Sequence, residues 1–104
     1  MRVLHDYQGL DIRLTDERLA HILEHPEMAG LEGAIEETLL HPQRVVESLG
    51  DPHARLYYRF YLSTRVGDKH LCVVVKIVGA DAFVLTAYLT DKMKGGVQLW
   101  PREK

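Results

Sequence analysis

The stretch Arg55-Leu56-Tyr57-Tyr58-Arg59-Phe60-Tyr61-Leu62 decides how this chain folds. Successive side chains of a β-strand point to opposite faces, so the stretch divides with a period of two. One side carries leucine and aromatic residues at Leu56, Tyr58, Phe60 and Leu62. The other side alternates guanidinium with phenol at Arg55, Tyr57, Arg59 and Tyr61. Arginine suits phosphate oxygens and aromatic rings suit stacked bases, so the second side predicts a binding face, with an RNA strand as its ligand.

Size and composition predict one domain over residues 1–104. Hydrophobic residues make up 46% of the chain and charged residues 27%, which is ordinary for a globular domain. No segment approaches the ~18 consecutive apolar residues of a membrane helix, and the amino terminus lacks the apolar core of a signal peptide. Cys72 is the only cysteine, which excludes an internal disulfide. We therefore expect a cytoplasmic protein without membrane association.

The formal charge of −2 hides a difference between the two halves of the chain. Residues 1–52 hold four Lys/Arg and eleven Asp/Glu, whereas residues 53–104 hold nine Lys/Arg and four Asp/Glu. Such a division is typical of a polyanion-binding surface. It is equally explained if the two halves attract each other within the fold, and the sequence pI near 6.3 lies below that of a dedicated nucleic-acid binder.

Residues 2–42 predict a hairpin followed by two amphipathic helices. Gln8-Gly9 marks the hairpin turn, Thr15 is a good N-cap, and the first helix ends near His25 because Pro26 disfavours helical geometry before it. A second helix fits residues 30–40, where apolar residues recur with helical spacing and His41-Pro42 closes the element.

The remainder of the chain predicts a sheet. A short strand near residues 45–47 is followed by three long ones at 55–65, 69–78 and 82–90, and residues 97–100 form either an edge strand or a packed tail. The expected fold is α+β: the hairpin and both helices pack on one face of a four-stranded or five-stranded antiparallel meander.

Alternation in the long strands predicts which side chains share the other face of the sheet. We assign to it three cations, three phenols, a histidine and no acid: Arg55, Tyr57, Arg59, Tyr61, His70, Cys72, Val74, Lys76, Thr86, Tyr88 and Thr90. A solvated face is the alternative explanation, since antiparallel sheets often expose one side. Clustered polar and aromatic residues favour a binding surface.

Individual residues predict chemistry on this face. Lys76 is the only charge in an apolar strand, so it either stabilises an anionic transition state or extends to water at the strand end. Thr86 and Tyr88 offer hydroxyl groups, and Cys72 is interpreted as an apolar filler. His21-Ile22-Leu23-Glu24-His25 matches the H-x-x-E-H zinc-peptidase motif, but Pro26 ends the helix there and no third ligand can be placed, so we predict no metal site and no cofactor.

Several segments together resemble the phage-associated barnase–EndoU–colicin E5/D–RelE-like nuclease domains. The resemblance covers residues 12–100 and rests on residues 14–22, His25-Pro26-Glu27, residues 36–39, Arg55-Leu56-Tyr57-Tyr58, Val73-Val74-Val75-Lys76 and residues 86–90. It implies helices on a four-stranded antiparallel sheet and metal-independent RNA cleavage, in which a ribose 2′-hydroxyl attacks the neighbouring phosphate.

The resemblance also implies roles for particular residues. Catalytic groups would be Lys76, Tyr57, Tyr88, His21 and Thr86, and Arg55 would hold phosphate. The face assignment adds Arg59, Tyr61 and His70 as substrate-binding residues. The function predicted is therefore a metal-independent endoribonuclease or toxin-like domain, with a cognate inhibitor protein as a further partner. The alternatives are a module that binds RNA or protein on the same face without cleaving, and zinc hydrolysis through His21 and His25. An exposed edge strand leaves a homodimer open.

Overall fold

The computed structural model describes residues 1–102 of the chain. This part folds into two α-helices, one short 3-10 helix and seven β-strands, joined by turns and loops. In chain order they are β1 Arg2–His5, β2 Asp11–Leu14, α1 Asp16–Leu23, the 3-10 helix Pro26–Met28, α2 Glu32–Leu40, β3 Arg44–Ser48, β4 Ala54–Thr64, β5 Gly67–Val78, β6 Asp81–Thr90 and β7 Gly96–Trp100.

The predicted hairpin and both helices are confirmed. β1 and β2 pair antiparallel, and Gly9 adopts a φ of 83° in the turn between them. The Thr15 hydroxyl accepts a hydrogen bond from the backbone N–H of Arg18 at 3.1 Å, so threonine caps α1 as expected. α1 ends at Leu23 and His25 lies in extended backbone before Pro26, which separates the two histidines of the H-x-x-E-H motif.

The predicted four-stranded or five-stranded antiparallel meander is wrong. All seven strands form one mixed sheet in the order β1-β2-β6-β5-β4-β3-β7. The hairpin joins the sheet because β2 lies parallel to β6, with Arg13 beside Phe83. At the other edge β7 pairs antiparallel with β3, and Gly96 allows this close approach, since a Cβ there would collide with the backbone carbonyl of Glu47.

A β-bulge near the β4–β5 turn overturns the predicted grouping of faces. Thr64 pairs with Gly67, but the register shifts by one residue before Tyr61, which pairs with Lys69. Ser63 adopts a φ of 56° within this irregularity. Tyr57 consequently pairs with Val73. The one-residue shift moves the side chains of residues 54–61 to the faces opposite those predicted.

The two faces of the sheet are covered differently. The helix-covered face buries Tyr57, Leu71, Val73 and Val75 against α1 and α2, through helix residues that include Ile22, Ile35 and Leu39. We call the opposite side the outer face; it carries Leu56, Tyr58, Phe60, His70, Cys72, Val74, Lys76, Thr86, Tyr88 and Thr90. Its centre is a smaller buried cluster that includes Leu56, Tyr58 and Cys72.

The connection from β6 to β7, residues 91–95, crosses the outer face and is called the crossover segment. Its backbone N–H at Lys94 donates a 2.9 Å hydrogen bond to the Tyr58 hydroxyl. All five residues of the segment are exposed. Within the described chain, no helix has the length and apolar character needed to cross a membrane.

Candidate functional site

The outer face brings together four of the nine predicted site residues. His70 lies beside Thr90, Lys76 beside Phe83, Thr86 beside Val74 and Tyr88 beside Cys72 in the β5–β6 register. The prediction that Arg55, Tyr57, Arg59 and Tyr61 share this face is wrong, because the bulge in β4 turns them to the helix-covered side. The nine residues therefore do not converge on one surface.

Tyr57 lies in the hydrophobic core. Its side chain is fully buried, and its hydroxyl donates a 2.7 Å hydrogen bond to Asp6 Oδ2. Burial raises the pKa of Tyr57 strongly, and the bond to Asp6 adds to the rise. A phenol held in its neutral form beneath two helices supports the fold and is closed to an RNA strand on the outer face.

Arg59 and Tyr61 form polar contacts with the end of α2. The Arg59 guanidinium donates to the His41 carbonyl at 2.8 Å and lies 3.4 Å from Glu37, while the Tyr61 hydroxyl donates to Glu37 Oε1 at 2.6 Å. The Tyr61 bond and the nearby Arg59 charge lower the pKa of Glu37. Both predicted substrate-binding residues thus have protein partners that anchor α2 to β4.

His21 lies on the solvent side of α1, away from the outer face. Its Nδ1 is 3.5 Å from Glu24 Oε2, and the His25 Nδ1 is 3.8 Å from Glu27 Oε1. No group of three or more His, Cys, Asp or Glu side chains suited to a metal ion occurs among residues 1–102.

Lys76 is held by the loop that precedes β4. It lies at the end of the outer face where β4 and β6 begin, which we call the lower end. Its Nζ donates to Asp51 Oδ2, and both side chains are about one-third exposed. This bond, with the backbone N–H of His53, lowers the pKa of Asp51. Lys76 therefore pairs with a carboxylate, which offsets the cost of placing a charge in an otherwise apolar strand.

Three polar side chains form a row across the centre of the outer face. Tyr58, Cys72 and Tyr88 are cross-strand neighbours on β4, β5 and β6. Burial raises the pKa of Tyr58 to about 12 and also raises the pKa values of Cys72 and Tyr88. The thiol stays protonated at neutral pH, which agrees with the interpretation of Cys72 as a filler.

The upper end of the outer face, opposite the end that holds Lys76, combines the predicted residue His70 with residues that were not predicted to belong to the site. Phe60 is 39% exposed, and its ring meets the His70 ring edge-on with centroids 4.8 Å apart. The Nδ1 atom of His70 is buried and has no hydrogen-bond partner among residues 1–102. Arg44 lies beside Tyr58 in the β3–β4 register, and Lys92 and Lys94 lie on the crossover segment.

Near this upper end, the carboxylate of Asp91 already has a lysine partner, and Arg44 already has an amide partner. Asp91 Oδ1 accepts from Lys69, and Arg44 donates to the Gln98 side chain at 3.1 Å. Neither Lys92 nor Lys94 forms an ion pair with a carboxylate of residues 1–102. Only the basic character of residues 91–96 could have pointed to these cations, because their position depends on how the crossover segment runs.

Comparison of the chain with protein-family models, with curated proteins and with solved structures found no significant match in any of the three.

Proposed function

We propose that the protein binds single-stranded RNA on the upper part of the outer face. The observation that carries the proposal is the exposed Phe60 ring, which packs against the His70 ring. Lys92 and Lys94 lie on the crossover segment over the same face, and neither has a carboxylate partner within residues 1–102. Aromatic rings stack on unpaired bases, and lysines that lack a protein partner neutralise phosphates. A cytoplasmic location, expected from the lack of disulfides, would give the protein access to RNA.

Replacing Phe60 with alanine is expected to weaken binding of a short single-stranded RNA by about 1–3 kcal/mol, or about 5- to 150-fold, because one stacking platform is lost. Phe60 is partly exposed, so the fold is expected to survive the change. Fluorescence anisotropy with a labelled oligoribonucleotide measures the affinity, and circular dichroism checks the fold.

Two variants separate stacking from general hydrophobicity. Phe60→Leu keeps an apolar side chain without a π face and should bind nearly as weakly as Phe60→Ala. Leu62→Ala alters a neighbouring residue that is 71% exposed and should bind like the wild type. Equal affinity of Phe60→Ala and the wild type, or a salt dependence that Lys92→Ala and Lys94→Ala leave unchanged, would contradict the proposal.

A second candidate function is metal-independent cleavage of the bound RNA, the activity that the family resemblance implies. The specific observation in its favour is that the His70 imidazole lies on the outer face, where the RNA strand is proposed to bind. Lys76, on the same strand β5, lies on this face as well. Imidazole is the usual general acid or base near neutral pH. Burial raises the pKa of Tyr88, so its phenol stays protonated and would contribute hydrogen bonds there and not act as a base. The Thr86 hydroxyl would likewise contribute hydrogen bonds.

Incubation of labelled RNA with the protein in EDTA tests this second function. We expect His70→Gln to slow cleavage by about 10²–10⁴-fold while RNA binding stays within a few-fold of the wild type, because the amide cannot transfer the proton. Tyr57→Phe and His21→Gln are the matched controls, because both positions lie off the outer face. RNA binding without cleavage would leave a binding module, and cleavage that needs a divalent ion would rule out this chemistry.

A further inference from the structure

A pocket of about 280 Å³ lies at the end of the sheet where the β1–β2 turn approaches β7. It is separate from the outer face, because Arg55 and Tyr7 belong to the helix-covered side. Its wall contains two arginines, a phenol, two side-chain amides and a leucine: Arg55, Arg102, Tyr7, Gln8, Gln98 and Leu99.

Positive charge dominates this pocket. Neither Arg55 nor Arg102 forms an ion pair with a carboxylate of residues 1–102. Glu47 faces Arg55 across the β3–β4 register without pairing with it. Arg2, Arg13 and Arg59 have carboxylate partners, whereas Arg18, Arg44 and Arg65 have none within residues 1–102. What distinguishes this pocket is that two such guanidinium groups line it together.

The nearest buried acid is turned away from the pocket. Asp6 is 3% exposed; its Oδ1 accepts from the backbone N–H groups of Gln8 and Leu10, at 2.9 Å each, and its Oδ2 accepts from Tyr57. Both Asp6 oxygens therefore have hydrogen-bond donors in the turn and the core, and neither bonds to Arg55 or Arg102. Tyr7 lines the pocket together with Arg55 and Arg102. Burial and the Asp6 charge raise the pKa of Tyr7, and the two nearby arginines oppose the rise.

We propose that this pocket binds the phosphate of a phosphomonoester. Two guanidinium forks match the charge of a phosphate monoester, which carries about −1.5 to −2 at pH 7, and their planar donors suit its oxygens. Gln8 supplies a further amide at the rim, whereas the Gln98 side chain is held by Arg44 and the Pro101 carbonyl and only shapes the wall. The volume leaves room for a sugar beside the phosphate.

Trp100 provides a built-in reporter for the test. It is the only tryptophan, and its ring lies 5.3 Å from the Tyr7 ring that lines the pocket. Titration of the wild-type chain with ribose 5-phosphate at fixed ionic strength is expected to change the Trp100 emission and to saturate. Ribose alone should give no change. Affinity should fall below about pH 6, where the phosphate dianion takes up a proton and becomes a monoanion.

Arg55→Gln and Arg102→Gln are each expected to weaken ribose 5-phosphate binding about tenfold or more, because each removes charge-assisted hydrogen bonds. Arg102 is exposed near the end of the described chain, so its substitution tests the site even if Arg55→Gln perturbs the fold. Arg65→Gln removes the same charge from an exposed turn outside the pocket and should bind like the wild type.

Three results would overturn the phosphate site: no saturable response to ribose 5-phosphate, equal affinity in Arg102→Gln and the wild type, or an equal loss in Arg65→Gln. The test is independent of RNA binding on the outer face. Phe60→Ala should leave the ribose 5-phosphate affinity unchanged, so failure of one proposal does not carry over to the other.

Discussion

Replacing Tyr57 with alanine is expected to lower the free energy of unfolding by about 3–5 kcal/mol, the usual cost of removing a fully buried aromatic side chain. Its ring is 0% exposed and meets the Tyr7 ring edge-on at 6.3 Å. The substitution also removes the hydroxyl that donates to Asp6. Urea unfolding monitored by circular dichroism, with wild type and variant compared at equal m-value, gives the difference.

Tyr57→Phe separates the hydroxyl from the ring. It leaves the buried Oδ2 of Asp6 without its donor, so we expect a loss of about 1.5–3 kcal/mol. Tyr61→Phe is the matched control, because its partner Glu37 is largely exposed and can bond to water instead; a loss of under about 1 kcal/mol is expected there. A Tyr57→Phe variant as stable as the wild type would show that the Asp6–Tyr57 bond contributes nothing.

These variants also decide between a structural and a catalytic role for Tyr57. A core residue changes stability and leaves the RNA affinity of the folded protein unaltered. A catalytic phenol would do the reverse, lowering activity at nearly constant stability. The two readouts together therefore test the role that the family resemblance implied for this tyrosine.

The period-two pattern of residues 55–62 correctly predicted a long strand, but it could not predict the face on which each side chain lies. Alternation gives two sets of side chains, and only the register with β5 decides which set meets the helices. If the Thr64–Gly67 pairing continued without a bulge, Tyr57 would lie opposite Val74, and the predicted face would follow. The extra residue near Ser63 reverses that outcome, and bulges have only a weak sequence signal.

A second bulge has the same effect in β6. Val75 pairs with Val84 but Val74 pairs with Thr86, so Leu85 is extra and Phe83 lies opposite Lys76. The apolar residues Phe83, Leu85, Ala87 and Leu89, which alternate along the sequence of β6, are therefore divided between the two faces. Beyond this bulge the prediction holds, because His70, Cys72 and Val74 share a face with Thr86, Tyr88 and Thr90 as expected.

Attraction between the two halves accounts for part of the charge difference along the chain, and polyanion binding stays a prediction. Ion pairs join the halves at Arg13–Asp81, Lys76–Asp51 and Arg59–Glu37, so attraction within the fold consumes several charges. Among the second-half cations without such a partner within residues 1–102, Lys92 and Lys94 lie on the crossover segment, Arg55 and Arg102 line the proposed phosphate pocket, and Arg65 lies in the exposed β4–β5 turn. Composition predicted the excess of cations, and only the fold decides where the excess lies.

Raising the pH above about 10 is expected to unfold the protein, because its tyrosines resist ionisation while folded. Burial is the main cause in every case, and the pKa rises to about 12 for Tyr58 and for Tyr61 and also rises for Tyr7, Tyr57 and Tyr88. Tyrosine in the unfolded chain ionises near pH 10. Above that pH the folded state therefore binds more protons than the unfolded state, so stability is complete below about pH 10 and is lost as the pH rises toward 12.

Urea unfolding at successive pH values, together with phenolate absorbance, measures this alkaline loss of stability. Each tyrosine that stays protonated only when folded adds up to about 1.4 kcal/mol per pH unit to the slope of stability against pH. Tyr58→Phe removes one such group, so the slope of stability against pH above pH 10 should be shallower in this variant than in the wild type. The variant also lacks the hydroxyl that accepts the hydrogen bond from the Lys94 backbone N–H, which lowers its stability at every pH. In the wild type the phenolate signal should rise together with the loss of circular dichroism. All five tyrosines have a pKa raised by burial. Ionisation of several tyrosines near pH 10 while the fold stays intact would contradict this prediction. It would mean that the two faces of the sheet are more open to water than their packing implies.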